Sequence, residues 1–258
     1  MTSRKDDLSL LIDAAREAGD IAMRYFKRNP EVWMKTGQSP VTEADFAVDA
    51  FLRETLTAAR PGYGWLSEET ADSAERLSMR RTFVVDPIDG TRGFIDGASS
   101  WCISVAVVEA GQPVVGVLDC PAREEVYFAT PGAGAWKNGA PIRVRDPGPE
   151  AVIGGPKPFF EALPETWRER VRRMSHVPSL AYRLAMIAEG ALDATFVKPN
   201  AHDWDIAAAD LILREAGGCL LNTLGNAPSY GGSITSHDAL VAGSGDLLAV
   251  IAEVIAQR

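Results

Sequence analysis

Apolar residues recur at helical spacing through the first sixty positions. Between Leu8 and Phe26 the residues Leu11, Ile12, Ala15, Ala18, Ala22 and Tyr25 make one stripe, which predicts a helix closed by Pro30. After Pro40 a second stripe of Val41, Ala44, Val48, Phe51, Leu52 and Leu56 predicts another helix, capped by Thr42 and ending before Pro61-Gly62. From Thr82 to Val144 the pattern shortens to β-rich runs between glycines and prolines: TFVVD, WCISVAVV, VVGVLD, EVYFAT, GAWK and PIRV. These predict a meandering antiparallel sheet. The second half alternates short strands (VIGG, ATFV, CLLN, ALVAG) with helices near 158–173, 180–190, 204–216 and 246–257. Pro147, Gly148 and Pro149 separate the two textures and divide the chain into an N-terminal α+β unit, residues 1–148, and a C-terminal α/β unit, residues 149–258.

The 258 residues, 46% of them hydrophobic and 24% charged, exclude a disordered or collagen-like chain. The 35 acidic residues outnumber 26 basic ones, and a net charge of −9 repels a phosphate backbone, so no nucleic-acid partner is expected. An anionic small substrate would need positive charge supplied locally, and a metal ion is the candidate. The first residues carry acids where a signal peptide needs an apolar core. The longest uncharged apolar run, Trp101 to Val108, is far shorter than the roughly 20 residues of a membrane span. A cytoplasmic protein with no membrane partner is therefore expected. Cys102, Cys120 and Cys219 lack Cys-x-x-Cys spacing and read as buried, reduced thiols.

The candidate chemistry centres on Asp86-Pro-Ile-Asp89-Gly-Thr91, which places two carboxylates at the end of an apolar strand. Pro87 holds Asp86 extended and Gly90 permits a sharp turn, so both acids are expected to face one pocket. Beyond Gly90, successive backbone N–H groups and the Thr91 hydroxyl can cradle a phosphate. Glu68-Glu69 and Asp205, which opens a helix, add carboxylates. Hard divalent ions want several such oxygens, so Glu68, Asp86, Asp89 and Asp205 form a candidate magnesium set. Each piece alone has a plainer reading as a turn, a solvated acidic pair or an N-cap, and Thr42-x-x-Asp45 also fits a capping box.

Other phosphatase chemistries fit less well. A Cys-x5-Arg nucleophile is excluded because Val108, Val126 and Gly225 stand six residues after the three cysteines. Asp203-Trp-Asp205 has Ala207 where an aspartyl nucleophile motif needs Thr or Val. His176, His202 and His237 lack an Arg-His-Gly context, although His202 neighbours the Trp204-Asp205 motif. No phosphate-binding Gly-x4-Gly-Lys or dinucleotide fingerprint occurs.

In order, the chain carries Lys35, Asp45, Glu68-Glu69, Asp86-Pro-Ile-Asp-Gly-Thr91, Trp204-Asp205-Ile-Ala-Ala208 and Glu215-Ala-Gly-Gly218. This series resembles the inositol monophosphatase superfamily of magnesium-dependent, lithium-sensitive phosphatases over nearly the whole chain. The resemblance implies an α/β (α+β) layered α-β-α-β-α sandwich, with an antiparallel sheet in the first half and a mixed sheet in the second. It also implies two or three Mg2+ ions held by Glu68, Asp86, the Ile88 carbonyl, Asp89 and Asp205, inhibition by Li+, and a homodimer. Asp45, Glu68 and Thr91 become the catalytic residues, with Asp45 and Thr91 orienting and deprotonating the attacking water.

Asp89, Gly90, Thr91, Arg92, Ser179, Lys198 and Asp205 are then expected to face a small phosphorylated metabolite. Arg92 departs from the Thr-Asn-Phe continuation usual in inositol phosphatases and is more like bisphosphate nucleotidases and histidinol phosphatases of the superfamily. The leaving group is expected between Ser179-Leu-Ala-Tyr-Arg183 and Val197-Lys198-Pro-Asn-Ala-His202, where Lys198 suits a doubly phosphorylated substrate. The order of expectation is adenosine 3',5'-bisphosphate, inositol monophosphate, then histidinol phosphate. The competing class is a regulatory or binding protein that retains the fold.

Overall fold

A computed structural model describes residues 4–35, 39–148 and 150–257. The two predicted N-terminal helices form as Arg4–Met23 and Glu43–Ala59. The first presents Leu11, Ala15, Ala18 and Ala22 to the core, and the second Ala44, Val48, Leu52 and Leu56, each row following the helical repeat. Thr42 caps the second helix through a capping box completed by Asp45. Buried Asp7 ties this layer to the sheet, accepting hydrogen bonds from Arg60 Nε at 2.8 Å, Arg81 Nη1 at 2.8 Å and Tyr63 Oη at 2.9 Å.

Both helices pack on one face of a seven-stranded sheet in the order Gly64–Ser67, Arg81–Asp89, Cys102–Glu109, Gln112–Cys120, Glu125–Ala129, Ala135–Lys137, Ala140–Ile142. Every neighbouring pair is antiparallel except the first two strands, which run parallel. The Gly64–Ser67 edge strand is absent from the sequence-level prediction, which placed Glu68-Glu69 before the sheet. Its four residues are too few for a period-2 pattern to show.

The helices Leu180–Ala188 and Asp203–Glu215 cover the opposite face and also meet the second sheet, so they form the middle layer. Gly116 lets the longer of them approach the first sheet, since a Cβ there would sit 2.7 Å from the Ala208 carbonyl oxygen. The second sheet is mixed, in the order Val171–Arg173, Ala151–Gly154, Ala194–Val197, Leu240–Gly243, Cys219–Asn222. The helix Gly245–Ala256 closes its outer face, completing five alternating layers. The first sheet lies wholly before the expected division at 148/149 and the second wholly after it; Pro149 itself lies outside the described residues.

Two expectations are corrected. The helix predicted near 158–173 is instead the short helices Lys157–Glu161 and Glu165–Arg168 followed by the strand Val171–Arg173. Pro164 breaks it, because proline lacks an N–H and drives the preceding residue out of the helical region. Cys102 and Cys120 are buried thiols as expected, but Cys219 is exposed. It sits on an edge strand where alternation turns Leu220 inward and Cys219 outward.

Candidate active site

The site lies where the first sheet meets the middle layer, in a cleft of about 180 Å³ lined by Glu68, Asp86, Ile88, Asp89, Thr91 and Asp205, with Gly90 and Arg92 also on its wall. Asp86 and Asp89 are three positions apart and would face opposite sides of a regular strand. A register shift resolves this: Asp86 pairs with Ser104 and Asp89 with Cys102, so the strand Arg81–Asp89 carries one extra residue. This bulge turns both acids to the same side. The Asp86 carboxylate accepts a hydrogen bond from the Ile88 N–H at 3.0 Å, which fixes the turn through Pro87.

Glu68 is delivered by the parallel edge strand. Its register sets Ser67 beside Val85, and the Glu68 N–H donates to the Val85 carbonyl at 3.2 Å, so Glu68 comes alongside Asp86. The loop is held from below by Asp49, which accepts from the Ser67 and Thr70 hydroxyls. Asp205 arrives from the start of Asp203–Glu215, with one oxygen accepting from the His202 N–H at 2.7 Å. Glu68, Asp86 and Asp205 each present an oxygen within 4.8 Å of the other two. Asp89 lines the same cleft outside that triple, one oxygen engaged by the Ser179 hydroxyl and the Ala181 N–H.

Electrostatics makes this cluster costly without a cation. Burial, then the charges of Glu68, Asp89 and Asp205, push the Asp86 carboxyl well above the ordinary carboxylate range. Loss of hydration and the Asp89 charge push Asp205 the same way. Burial raises Asp89 to about 6 despite its hydrogen bonds from Ser179 and the following backbone. Lys35 meets the cluster, donating to Glu68 at 2.8 Å and Glu69 at 2.6 Å. One ammonium opposite so many carboxylates leaves a negative excess. An all-oxygen donor set of this kind fits a hard divalent ion.

Beside the triple, Asp45 closes the helix cap and also reaches Thr91. One oxygen accepts from the Thr42 N–H at 2.8 Å and the Thr42 hydroxyl at 2.6 Å, closing the capping box, while the other lies 3.3 Å from the Thr91 hydroxyl. Burial raises its carboxyl to about 6, against the lowering effect of Thr42. The Thr91 hydroxyl is also 3.1 Å from the Ile88 carbonyl oxygen. Gly90 turns the chain into the short helix Thr91–Ile95 at φ +94°, and a Cβ there would lie 3.0 Å from Ser179. Phe94 anchors that helix against Trp101, centroids 4.9 Å apart, and Phe26, 5.4 Å.

A larger cavity of about 580 Å³ adjoins the cleft and shares His176, Pro178 and Asp205 with it. Exposed Lys198 stands on its wall together with half-buried Arg183, which the sequence reading passed over within the segment it had placed there. Ser179, expected to face the substrate, is fully enclosed; its hydroxyl supports Asp89 and caps the helix Leu180–Ala188. Of the histidines, His176 lines both cavities, whereas His202 stacks on Trp204 at 4.5 Å and His237 pairs with Asp203 at 2.7 Å.

The Inositol monophosphatase family model matches residues 4–258. The chain belongs to that family. This family member is a phosphatase, and its family is metal-dependent, in keeping with the acidic triple. It is 32% identical to a histidinol-phosphatase of Mycobacterium tuberculosis over 92% of this chain and 95% of that one. It is 30% identical to a 3'(2'),5'-bisphosphate nucleotidase CysQ of Aggregatibacter actinomycetemcomitans over 82% of each. The solved IMPase of Thermotoga maritima superposes with a TM-score of 0.84 at 28% identity, over 98% of this chain and 97% of that one. No helix among the described residues is long and apolar enough to cross a membrane.

Proposed function

We propose that this phosphatase hydrolyses small phosphomonoesters with two or three magnesium ions held by Glu68, Asp86, Asp89, Asp205 and the Ile88 carbonyl. The convergence of three carboxylates within 4.8 Å beside the Asp45–Thr91 pair is the observation that carries this reading. Bound divalent cations supply positive charge to the phosphoryl group and acidify nearby water. Thr91 orients the attacking water and donates its own hydroxyl proton to Asp45. On attack the water's proton passes to Thr91 as Thr91's passes to Asp45, and the bond between phosphorus and the ester oxygen breaks in line, releasing phosphate and an alkoxide that takes up a proton from solvent to leave as the alcohol. The N–H groups of Gly90 and Thr91, where the chain turns into a helix, hold the phosphate oxygens, with Arg92 at the rim. The same reading makes lithium an inhibitor and places the enzyme in the cytoplasm as a homodimer.

Ser179 acts through Asp89 in this scheme. Ser179→Ala removes a donor to that carboxylate and is expected to raise the half-saturating magnesium concentration about ten- to a hundredfold, with kcat recovered at excess magnesium. Magnesium titrations of phosphate release check it; an unchanged half-saturation contradicts the role.

Among substrates, adenosine 3',5'-bisphosphate stands ahead of inositol monophosphate, with histidinol phosphate third. The relatives named above carry all three activities between them, so the ranking rests on the basic wall beside the cleft. Comparing kcat/KM for the three esters in magnesium tests it. Preference for the bisphosphate is the expected result, and preference for inositol phosphate would reverse the ranking.

A further inference from the structure

Asp203 has no part in the reaction scheme, yet it is fully buried at the first position of the helix Asp203–Glu215. Its carboxylate accepts from the Gly231 N–H at 2.7 Å and from His237 Nε2 at 2.7 Å, and its own N–H donates to the Thr235 carbonyl at 2.8 Å. A carboxylate only accepts, so Nε2 carries the hydrogen. All three partners sit on one strap, residues 229–237, which is anchored elsewhere as well. Buried Arg76 donates to the Gly231 and Gly232 carbonyls at 2.8 and 2.9 Å, and the Tyr230 N–H donates to the Gly111 carbonyl at 3.0 Å. The strap therefore grips Asp203 from a fixed frame. It grips the helix a second time where the Tyr230 hydroxyl donates to Asp210 at 2.9 Å, seven residues on and so on the same face as Asp203.

Asp205, two positions beyond Asp203, is turned about 200° round the helix, into the catalytic cleft. The donor that aims it, the His202 N–H, stands between two points the strap holds: Asp203 on one side, and on the other the ladder that pairs Ala201 with His237 and His202 with Ser236. Neither Asp203 nor His237 lines the cleft. We propose that Asp203 and His237 are positioning residues for Asp205: the pair fixes the His202–Asp203 peptide, and with it the direction in which Asp205 presents its carboxylate to a divalent ion. This rests on the metal-dependent phosphatase reading above and names residues outside the cleft that set its metal affinity. Losing a group that orients a metal ligand costs about 10- to 100-fold in affinity, and this pair, acting through one further hydrogen bond, belongs at the low end.

Isothermal titration of chelator-stripped protein with magnesium, without substrate, reads the effect. His237→Ala is expected to weaken binding about tenfold, with kcat at saturating magnesium within about threefold of the parent. His237→Gln, whose amide replaces Nε2 as donor, is expected to bind within about threefold of the parent. Tyr230→Phe releases the grip on Asp210 and leaves Asp203 alone, so it is expected to lower the Tm in chelator without changing magnesium affinity. If His237→Ala does not fold, His237→Phe, which keeps a ring beside Tyr230 and removes only the donor, is read in its place. Unchanged binding in the donor-less variant, or equal weakening in His237→Gln or Tyr230→Phe, overturns the positioning role and leaves the phosphatase reading intact. A parent that binds no magnesium overturns both.

Discussion

Replacing Asp86 by Asn is expected to lower phosphate release about a thousandfold or more without unfolding the protein. The side chain is almost fully buried, and its hydrogen bond from the Ile88 N–H is one that an amide oxygen also accepts, so the turn survives the change. What is lost is a negative oxygen at the centre of the triple. Stability should move the other way. A carboxyl whose folded pKa lies above its unfolded value, here 3.8, favours the folded state below that value and loses the contribution as pH rises through the folded pKa. Without metal, ionising Asp86 is therefore a liability to the fold, which Asn removes. Calorimetry in chelator should show the variant at least as stable as the parent, and added magnesium should raise the parent's Tm far more than the variant's. A variant that keeps both turnover and the magnesium-dependent Tm gain contradicts the assignment.

Asp45→Asn should cost about 10²–10⁴-fold in kcat/KM, the range of a lost general base. It should also change the shape of the pH profile. With Asp45 raised to about 6, the parent loses activity as pH falls through that value, because the protonated carboxyl cannot take the Thr91 proton. In the variant this limb should vanish from profiles taken at saturating magnesium. The fold should be nearly unaffected, since the amide oxygen can keep both Thr42 hydrogen bonds while its NH2 faces the Thr91 hydroxyl. A variant that keeps the parental acid limb would place the base elsewhere.

The long elements were legible one by one, the first helix from the spacing of Leu11, Ala15, Ala18 and Ala22 and the central strands from short apolar runs such as Val105–Val108, whereas their stacking into five layers came from the family resemblance. The candidate ligands were legible for a different reason: Glu68, Asp86, Asp89 and Asp205 are each ordinary alone and stand out as carboxylates in the order of the family's motifs. Geometry between segments was not legible. The bulge that aligns Asp86 with Asp89 depends on the pairing of Cys102 and Ser104 across the sheet. The edge strand that delivers Glu68 is four residues long, and its partner lies beyond an intervening loop. Ser179 read as a substrate contact because it opens the segment expected on the leaving-group side, yet only the fold shows that its hydroxyl is spent on Asp89. Arg183 falls on a helix whose other residues read as core, and nothing in that run marks its Nε as unpartnered. The failed helix near 158–173 was foreseeable, since Pro164 stands in its middle.

Metal dependence tests the central claim most directly. The protein is stripped with chelator, dialysed, and assayed for phosphate release from adenosine 3',5'-bisphosphate and inositol 1-phosphate as magnesium is returned. The carboxylate cluster predicts no turnover without metal, saturable recovery with magnesium, and no recovery in Asp86→Asn. Full turnover in the stripped protein, or equal recovery in the variant, would contradict it.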